Sequence, residues 1–201
     1  TVPGTTIDRQ CGSGQQAVSF AAMGVWAGIQ DLVVAGGVQN MSMIPIGMAL
    51  EAAIPLGHDD PFSGSEGWVE RYGTQEISQF RGAEMIAEKW DISRGKMEEF
   101  AFESHQRAST AIDEGRFDNE IVAISQTEMD EGPRRDISMD RMSTLNPLVE
   151  GGRLTAALAS QISDGAAALL IASEKAVKEF GLTPRARIHH VSVRGDDPVF
   201  M

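Results

Sequence analysis

Apolar residues crowd residues 15–29, where Ala17, Val18, Phe20, Ala21, Met23, Val25, Trp26 and Ile29 leave no polar stripe. A helix that is apolar nearly all round is expected to be buried. Gly24 and Gly28 within it would let another backbone approach closely. Residues 32–35 then form a short apolar run between Asp31 and Gly36-Gly37, the pattern of a strand covered on both faces. A helix leading into such a strand predicts a layered α/β core.

From about Asn40 to Gly82 no period survives, and Met41, Met43, Met48, Pro45, Pro55 and Pro61 interrupt the chain. Long irregular stretches of this kind tend to be functional or disordered. Helical periodicity returns over 82–90 and 94–113. Ser93 is the expected N-cap of the second helix, with Met97, Phe100, Ala101, Ser104, Ala108 and Ile112 on its covered face. Glu98, Glu99, Glu103, Gln106 and Arg107 read as its solvated face, and His105 among them reads as a surface histidine. Short strands are expected at 121–124, 166–172 and 187–193. A helix over 174–180 should stop at Gly181 in the C′ position.

Composition changes this picture little: 42% apolar and 23% charged residues suit a globular domain of 201 residues. A net charge of −12 argues against a general nucleic-acid or anionic-membrane surface. No apolar run approaches a membrane span, and the first residues lack a basic-then-apolar signal. A single cysteine excludes an internal disulfide framework and fits a reducing compartment, so a cytoplasmic location is expected.

That cysteine carries the candidate chemistry. In Asp8-Arg9-Gln10-Cys11-Gly12-Ser13-Gly14 it stands where a turn becomes a helix N-terminus. Unpaired N–H groups and the positive end of the helix dipole favour the thiolate there. The plainer reading is a small buried hydrophobe. Gly12-Ser13-Gly14-Gln15-Gln16-Ala17 matches the spacing of a dinucleotide fingerprint, yet the preceding residues are polar and no acidic residue ends the next strand. A nucleophile elbow needs glycine two residues before Ser13, where Cys11 stands. Asp130-Glu131-Gly132-Pro133-Arg134-Arg135-Asp136 reads equally as a solvated loop or as a phosphate-binding arginine turn. His189 and His190, adjacent in an expected strand, point to opposite faces and make a poor metal pair.

The segments Val2-Pro3-Gly4 through Cys11-Gly12-Ser13-Gly14, and Ala35-Gly36-Gly37-Val38-Gln39-Asn40-Met41-Ser42, resemble the thiolase family of acyl-CoA acyltransferases. Arg81-Gly82-Ala83-Glu84 and Leu154-Thr155-Ala156 through Asp164-Gly165-Ala166 continue the resemblance in the family's order. It looks most like the degradative bacterial branch. The resemblance implies a layered α-β-α core, present in part, with an inserted, mostly helical loop domain. Residues 1–42 and 152–185 would belong to the N-terminal half, 43–151 to the loop domain, and 186–201 to the start of a C-terminal half. The family's second cysteine and its histidine motif have no counterpart here, so the chain is expected to be incomplete for catalysis.

By the same resemblance Cys11 would be the acyl-accepting nucleophile, with its own N–H as part of an oxyanion hole. Met41 would lie near the acyl group, and Gln79 at a position that varies among subfamilies. Ser160 would lie beside the pantetheine amide, and Arg134 near the phosphates of coenzyme A. Leu158 and Ser163 stand where the family often has Asn, which affects local hydrogen bonding and not the nucleophile. Coenzyme A and acyl-CoA are the implied partners, as co-substrates, with no separate cofactor or metal, and the implied assembly is a homodimer or homotetramer. A ketoacyl-synthase-type condensing enzyme shares the nucleophilic cysteine but is disfavoured by the long segment between Asn40 and Gly151. A non-catalytic fragment serving as a binding or oligomerisation module is the other alternative.

Overall fold

The computed structural model describes residues 2–201. In chain order the elements are α1 (Ser13–Trp26), β1 (Leu32–Asn40), α2 (Met48–Glu51), α3 (Glu66–Tyr72), α4 (Gln79–Lys89), α5 (Arg94–Asp113), α6 (Met139–Ser143), β2 (Asp164–Ala172) and α7 (Glu174–Glu179). They form two compact units, one from residues up to 49 with 162–194, the other from 50–161 with 195–201.

In the first unit β1 and β2 pair antiparallel from Leu32↔Ala172 to Asn40↔Asp164. Side chains alternate across a strand, so Val33, Ala35 and Gly37 share one face and Val34, Gly36 and Val38 the other. α1 packs on both strands, and Ala35, Ala21 and Ala22 are buried. Gly36 permits close strand pairing, because a Cβ there would lie 2.8 Å from the Ala167 carbonyl oxygen. Asp31 ties the far end: it accepts from the Ser173 hydroxyl and the Lys175 ammonium, each at 2.8 Å. α7 then runs from the Ser173 N-cap and stops before Gly181, whose φ of 61° is the expected left-handed one.

Two expectations fail in this unit. Neither the helix nor the strand is covered all round: Val34 is 70% and Val38 81% exposed, and Phe20, Met23 and Trp26 are exposed too. Within this unit one helix lies over one side of two strands, so the outer face of each element has no partner among the unit's own described residues. Gly24 does meet a close neighbour, but it is its own following turn, where Ile29 and Gln30 N–H donate to the Gly24 carbonyl at 3.1 and 3.3 Å.

The second unit is mostly helical. α5 has the expected bounds and cap, the Ser93 hydroxyl accepting from the Lys96 N–H. Its faces differ from expectation: Glu98 is 4% exposed and Phe100 is 74% exposed. Met97, Ala101, Ala108 and Ile112 of the expected face are at least half-covered, as are Arg94, Phe102, His105 and Ser109 beside Glu98, while Phe100 and Ser104 are exposed. Glu98 is buried because Arg94 Nε donates to it at 2.6 Å, while Arg94 Nη2 reaches the carbonyls of Met142, Ser143 and Leu145 at 2.9–3.0 Å. One guanidinium thereby satisfies a buried carboxylate and the carbonyl end of α6. The segment 121–124 is not a strand: Ile124 makes only an isolated bridge with Thr127. Residues 187–193 make no ladder either. A run of strand-forming residues needs a partner edge, and neither segment meets one among the described residues.

Candidate functional site

Cys11 sits in a 3₁₀ turn, Gln10–Gly12, that runs straight into α1 with Gly12 as N-cap. The turn is pinned by its own residues. Ser13 Oγ accepts from the Arg9 N–H and donates to the Gln10 carbonyl, both at 2.7 Å. Arg9 Nη1 reaches Gln16 Oε1 at 2.7 Å, and the Gln10 N–H donates to Asp8 at 3.0 Å. Gln10 has φ of 45°, a left-handed conformation costly for a side chain with a Cβ. Strain of that kind clusters at sites where side-chain aim matters. The result presents the Cys11 thiol to solvent. Among the described residues no acceptor engages the Cys11 N–H.

Chain direction brings a second group to the same end. α1 runs away from Cys11, a five-residue connection (27–31) reverses the chain, and β1 returns along the helix it packs on. β1 ends, and β2 begins, at the end of the unit where α1 starts. There Met41 is half-buried. Next to it, the Asp164 carboxylate accepts the Ser42 N–H at 2.9 Å and the Ser42 hydroxyl at 2.6 Å. Those bonds, the hydroxyl first, hold the Asp164 carboxyl below its ordinary range.

The second unit carries Gln79, Arg134 and Ser160. Gln79 is the exposed first residue of α4, just after the Ser78 N-cap. Ser160 is exposed beyond a 3₁₀ turn, Ala156–Leu158, that packs on α5. Its neighbour Gln161 donates from Nε2 to the Gly132 carbonyl at 3.0 Å, which brings Ser160 close to the turn bearing Arg134. The Arg134 N–H donates to His105 Nδ1 at 3.1 Å, and its side chain lines an open cavity of about 450 Å³ between that turn and α5. Arg135, on the same cavity, pairs with Asp113 at 2.8 Å. The pair holds the Asp113 carboxyl below its ordinary range and raises the Arg135 guanidinium. Arg134 is therefore the less engaged cation of the two.

The segment leading to Ser160 is anchored by a pair that the sequence pattern does not reveal. Glu84 of α4 accepts the Arg153 and Leu154 N–H groups at 2.7 Å each. Asp164 and Ser42 were equally hidden, being 122 residues apart. The serine and aspartate types were visible, but contacts of that separation leave no period. Among the described residues no group of three or more His, Cys, Asp or Glu side chains is placed to hold a metal ion. Nor is any helix long and apolar enough to cross a membrane.

A thiol at a strained turn, free of a buried environment and beside an unengaged amide, has the parts of a nucleophile for covalent acyl transfer. The comparisons narrow the class. Residues 1–175 match the thiolase N-terminal domain family, and the chain belongs to that family. It is 58% identical to a steroid 3-ketoacyl-CoA thiolase of Mycobacterium tuberculosis, all of this chain aligning with 50% of that protein. It is 37% identical to the 3-oxoadipyl-CoA/3-oxo-5,6-dehydrosuberyl-CoA thiolase of Escherichia coli, covering 54% of it. Among solved structures, the acetyl-CoA acetyltransferase of Syntrophomonas wolfei superposes with a TM-score of 0.66 at 33% identity. That match covers 89% of this chain and 46% of that one. The fold is thus a partial thiolase-like α/β fold, and the chain spans about half the length of the curated relatives it matches.

Proposed function

We propose that this chain supplies the nucleophile and part of the coenzyme A site of a thiolase that cleaves 3-ketoacyl-CoA with coenzyme A. The Cys11 thiolate attacks the 3-keto carbon. The bond between C2 and C3 breaks, its electron pair leaves on acetyl-CoA as the enolate, and a proton completes acetyl-CoA. The acyl group remains on Cys11 as a thioester, which the coenzyme A thiolate attacks to give the shortened acyl-CoA and free Cys11. Splitting one difficult exchange into two thioester steps is the advantage of covalent catalysis. The Cys11 N–H donates to the oxyanion of the tetrahedral intermediate through which the acyl-Cys11 thioester forms and is attacked.

In this reading Met41 faces the acyl group, Ser160 lies beside the pantetheine amide, Gln79 stands at a substrate-side position that varies among subfamilies, and Arg134 meets a phosphate. Coenzyme A is a co-substrate, and no metal or separate cofactor takes part. The histidine and second cysteine of the family complete the proton transfers from outside these residues. A cytoplasmic homodimer or homotetramer goes with the reading. The name of the 58%-identical relative makes a steroid-derived 3-ketoacyl-CoA the first substrate to try.

The observation that carries the proposal is the strained, hydrogen-bonded turn presenting Cys11 at the start of α1. The test is intact-protein mass spectrometry of the full chain before and after acetoacetyl-CoA, with peptide mapping. An acetyl adduct on Cys11 is the expected result. An adduct elsewhere, or none when the family's histidine and second cysteine are also present, would sink Cys11 as the nucleophile, whereas none on these 201 residues alone would mark them as catalytically incomplete.

A further inference from the structure

Asn40↔Asp164 is the last pair of the ladder. The Asp164 side chain reaches beyond it, one oxygen on the Ser42 N–H at 2.9 Å and the other on the Ser42 hydroxyl at 2.6 Å. From the other side Asn40 Oδ1 accepts the Met43 N–H at 3.0 Å, and the Asn40 carbonyl accepts the Ile44 N–H at 2.9 Å. Met41 is held between residues that are each pinned. Bonds to an ionised acceptor are the stronger kind and fix geometry.

This cluster does not hold the core together. Asp164, Ser42 and Met43 are exposed. The ladder runs its length without the Asp164 side chain, and α1 rests on Ala35, near the middle of the strand. A charge-assisted lock that buries little is best understood by what it aims.

We propose that Asp164 is a positioning residue for acyl selection: by holding Ser42 it fixes Met41 at the Cys11 end of the unit, where the acyl chain is accommodated. The inference rests on the reading above, in which Cys11 is acylated and Met41 faces the acyl group. Asp164 touches neither substrate nor the thiol. Its effect is on how tightly Met41 can discriminate one acyl group from another.

The test uses the chain complemented by the segments that carry the family's histidine and second cysteine, with Asp164→Asn, Asp164→Ala and, as a milder variant, Ser42→Ala. Kinetics are measured with acetoacetyl-CoA and a bulkier 3-ketoacyl-CoA, acyl-Cys11 by mass spectrometry, and melting temperature in parallel. Asp164→Ala removes both acceptors, whereas in Asp164→Asn the oxygen can keep the Ser42 N–H and the amide nitrogen can donate to the Ser42 hydroxyl, which turns its proton to Asn40 Oδ1 at 3.0 Å, so only the charge assistance is lost. The expected result in Asp164→Ala is a change of about tenfold in the ratio of kcat/KM values, carried by KM. Acyl-Cys11 still forms, and Asp164→Glu recovers part of the ratio. An unchanged ratio, or a parallel loss for both substrates that tracks melting temperature, overturns the positioning role. Absence of acyl-Cys11 from the unmutated protein, with the family's histidine and second cysteine present, overturns the underlying reading instead, and the positioning role with it.

Discussion

Glu84 and Arg153 hold each other's neighbourhoods in opposite directions. Glu84 Oε1 accepts the Arg153 N–H at 2.7 Å, while Arg153 Nη1 reaches back to the carbonyls of Ala87 and Ile92 at 2.8 and 3.1 Å. The arginine thus satisfies carbonyls at the end of α4, where a cation also complements the helix dipole. The carboxylate fixes the strand-like entry to Thr155 and, beyond it, Ser160.

Glu84→Ala removes the acceptor of two backbone N–H groups. Bonds to charged acceptors are worth about 1.5–3 kcal/mol each, so a loss of about 3 kcal/mol is expected in urea unfolding. Glu84→Gln keeps an oxygen in place and should lose about half of that.

Arg94→Ala leaves Glu98 buried with no cation and frees three carbonyls. A broken buried pair costs about 3–5 kcal/mol. Arg94→Ala with Glu98→Gln together should be less destabilised than Arg94→Ala alone, which a double-mutant cycle by thermal or urea unfolding will read.

Gln10→Gly relieves a φ of 45°. The left-handed penalty is about 1–2 kcal/mol, partly offset by the greater freedom of unfolded glycine. A gain of up to about 1 kcal/mol is expected, while Gln10→Val should be destabilising. If the strain aims the thiol, Gln10→Gly also changes the rate of Cys11 alkylation by iodoacetamide.

The Asp31 carboxyl is held below its ordinary range, first by the Lys175 bond and then by the Ser173 hydroxyl. Lys175 is raised, chiefly by the same bond. A depressed carboxyl stabilises the fold above its unfolded pKa and loses that effect as pH falls through the folded one. A raised ammonium stabilises below its unfolded pKa and loses the effect as pH rises past the folded one. The stability difference between the unmutated protein and Asp31→Asn should be present at pH 7 and vanish in strong acid. It should shrink in high salt, because both groups are exposed.

Local signals carried well in the sequence. The Ser93 cap, the bounds of α5 and the Gly181 stop are decided by neighbours within a turn. β1 extends past Gly36-Gly37 to Asn40, although glycines usually end such runs, because β2 supplies a partner along that whole length. The faces were less legible. Glu98 went inside because Arg94 lies one turn away and α6 brings carbonyls to meet it. Phe100 stayed outside because no element reaches that side of α5 among the described residues. For the site, the strain at Gln10 and the lock of Asp164 on Ser42 have no sequence period to betray them.

The β1–β2 ladder has a temporal consequence. Ser42 and its acceptor Asp164 are 122 residues apart. At a synthesis rate of about 5–20 residues per second, β1 waits on the order of ten seconds for the strand it pairs with. During that interval its Val-rich edge is unpaired, while the helices encoded in between can already close their own local contacts. The nascent first unit is therefore the stage of biogenesis most in need of a chaperone's shelter, and slowing the ribosome between the two strands should lower yield before it alters the finished fold.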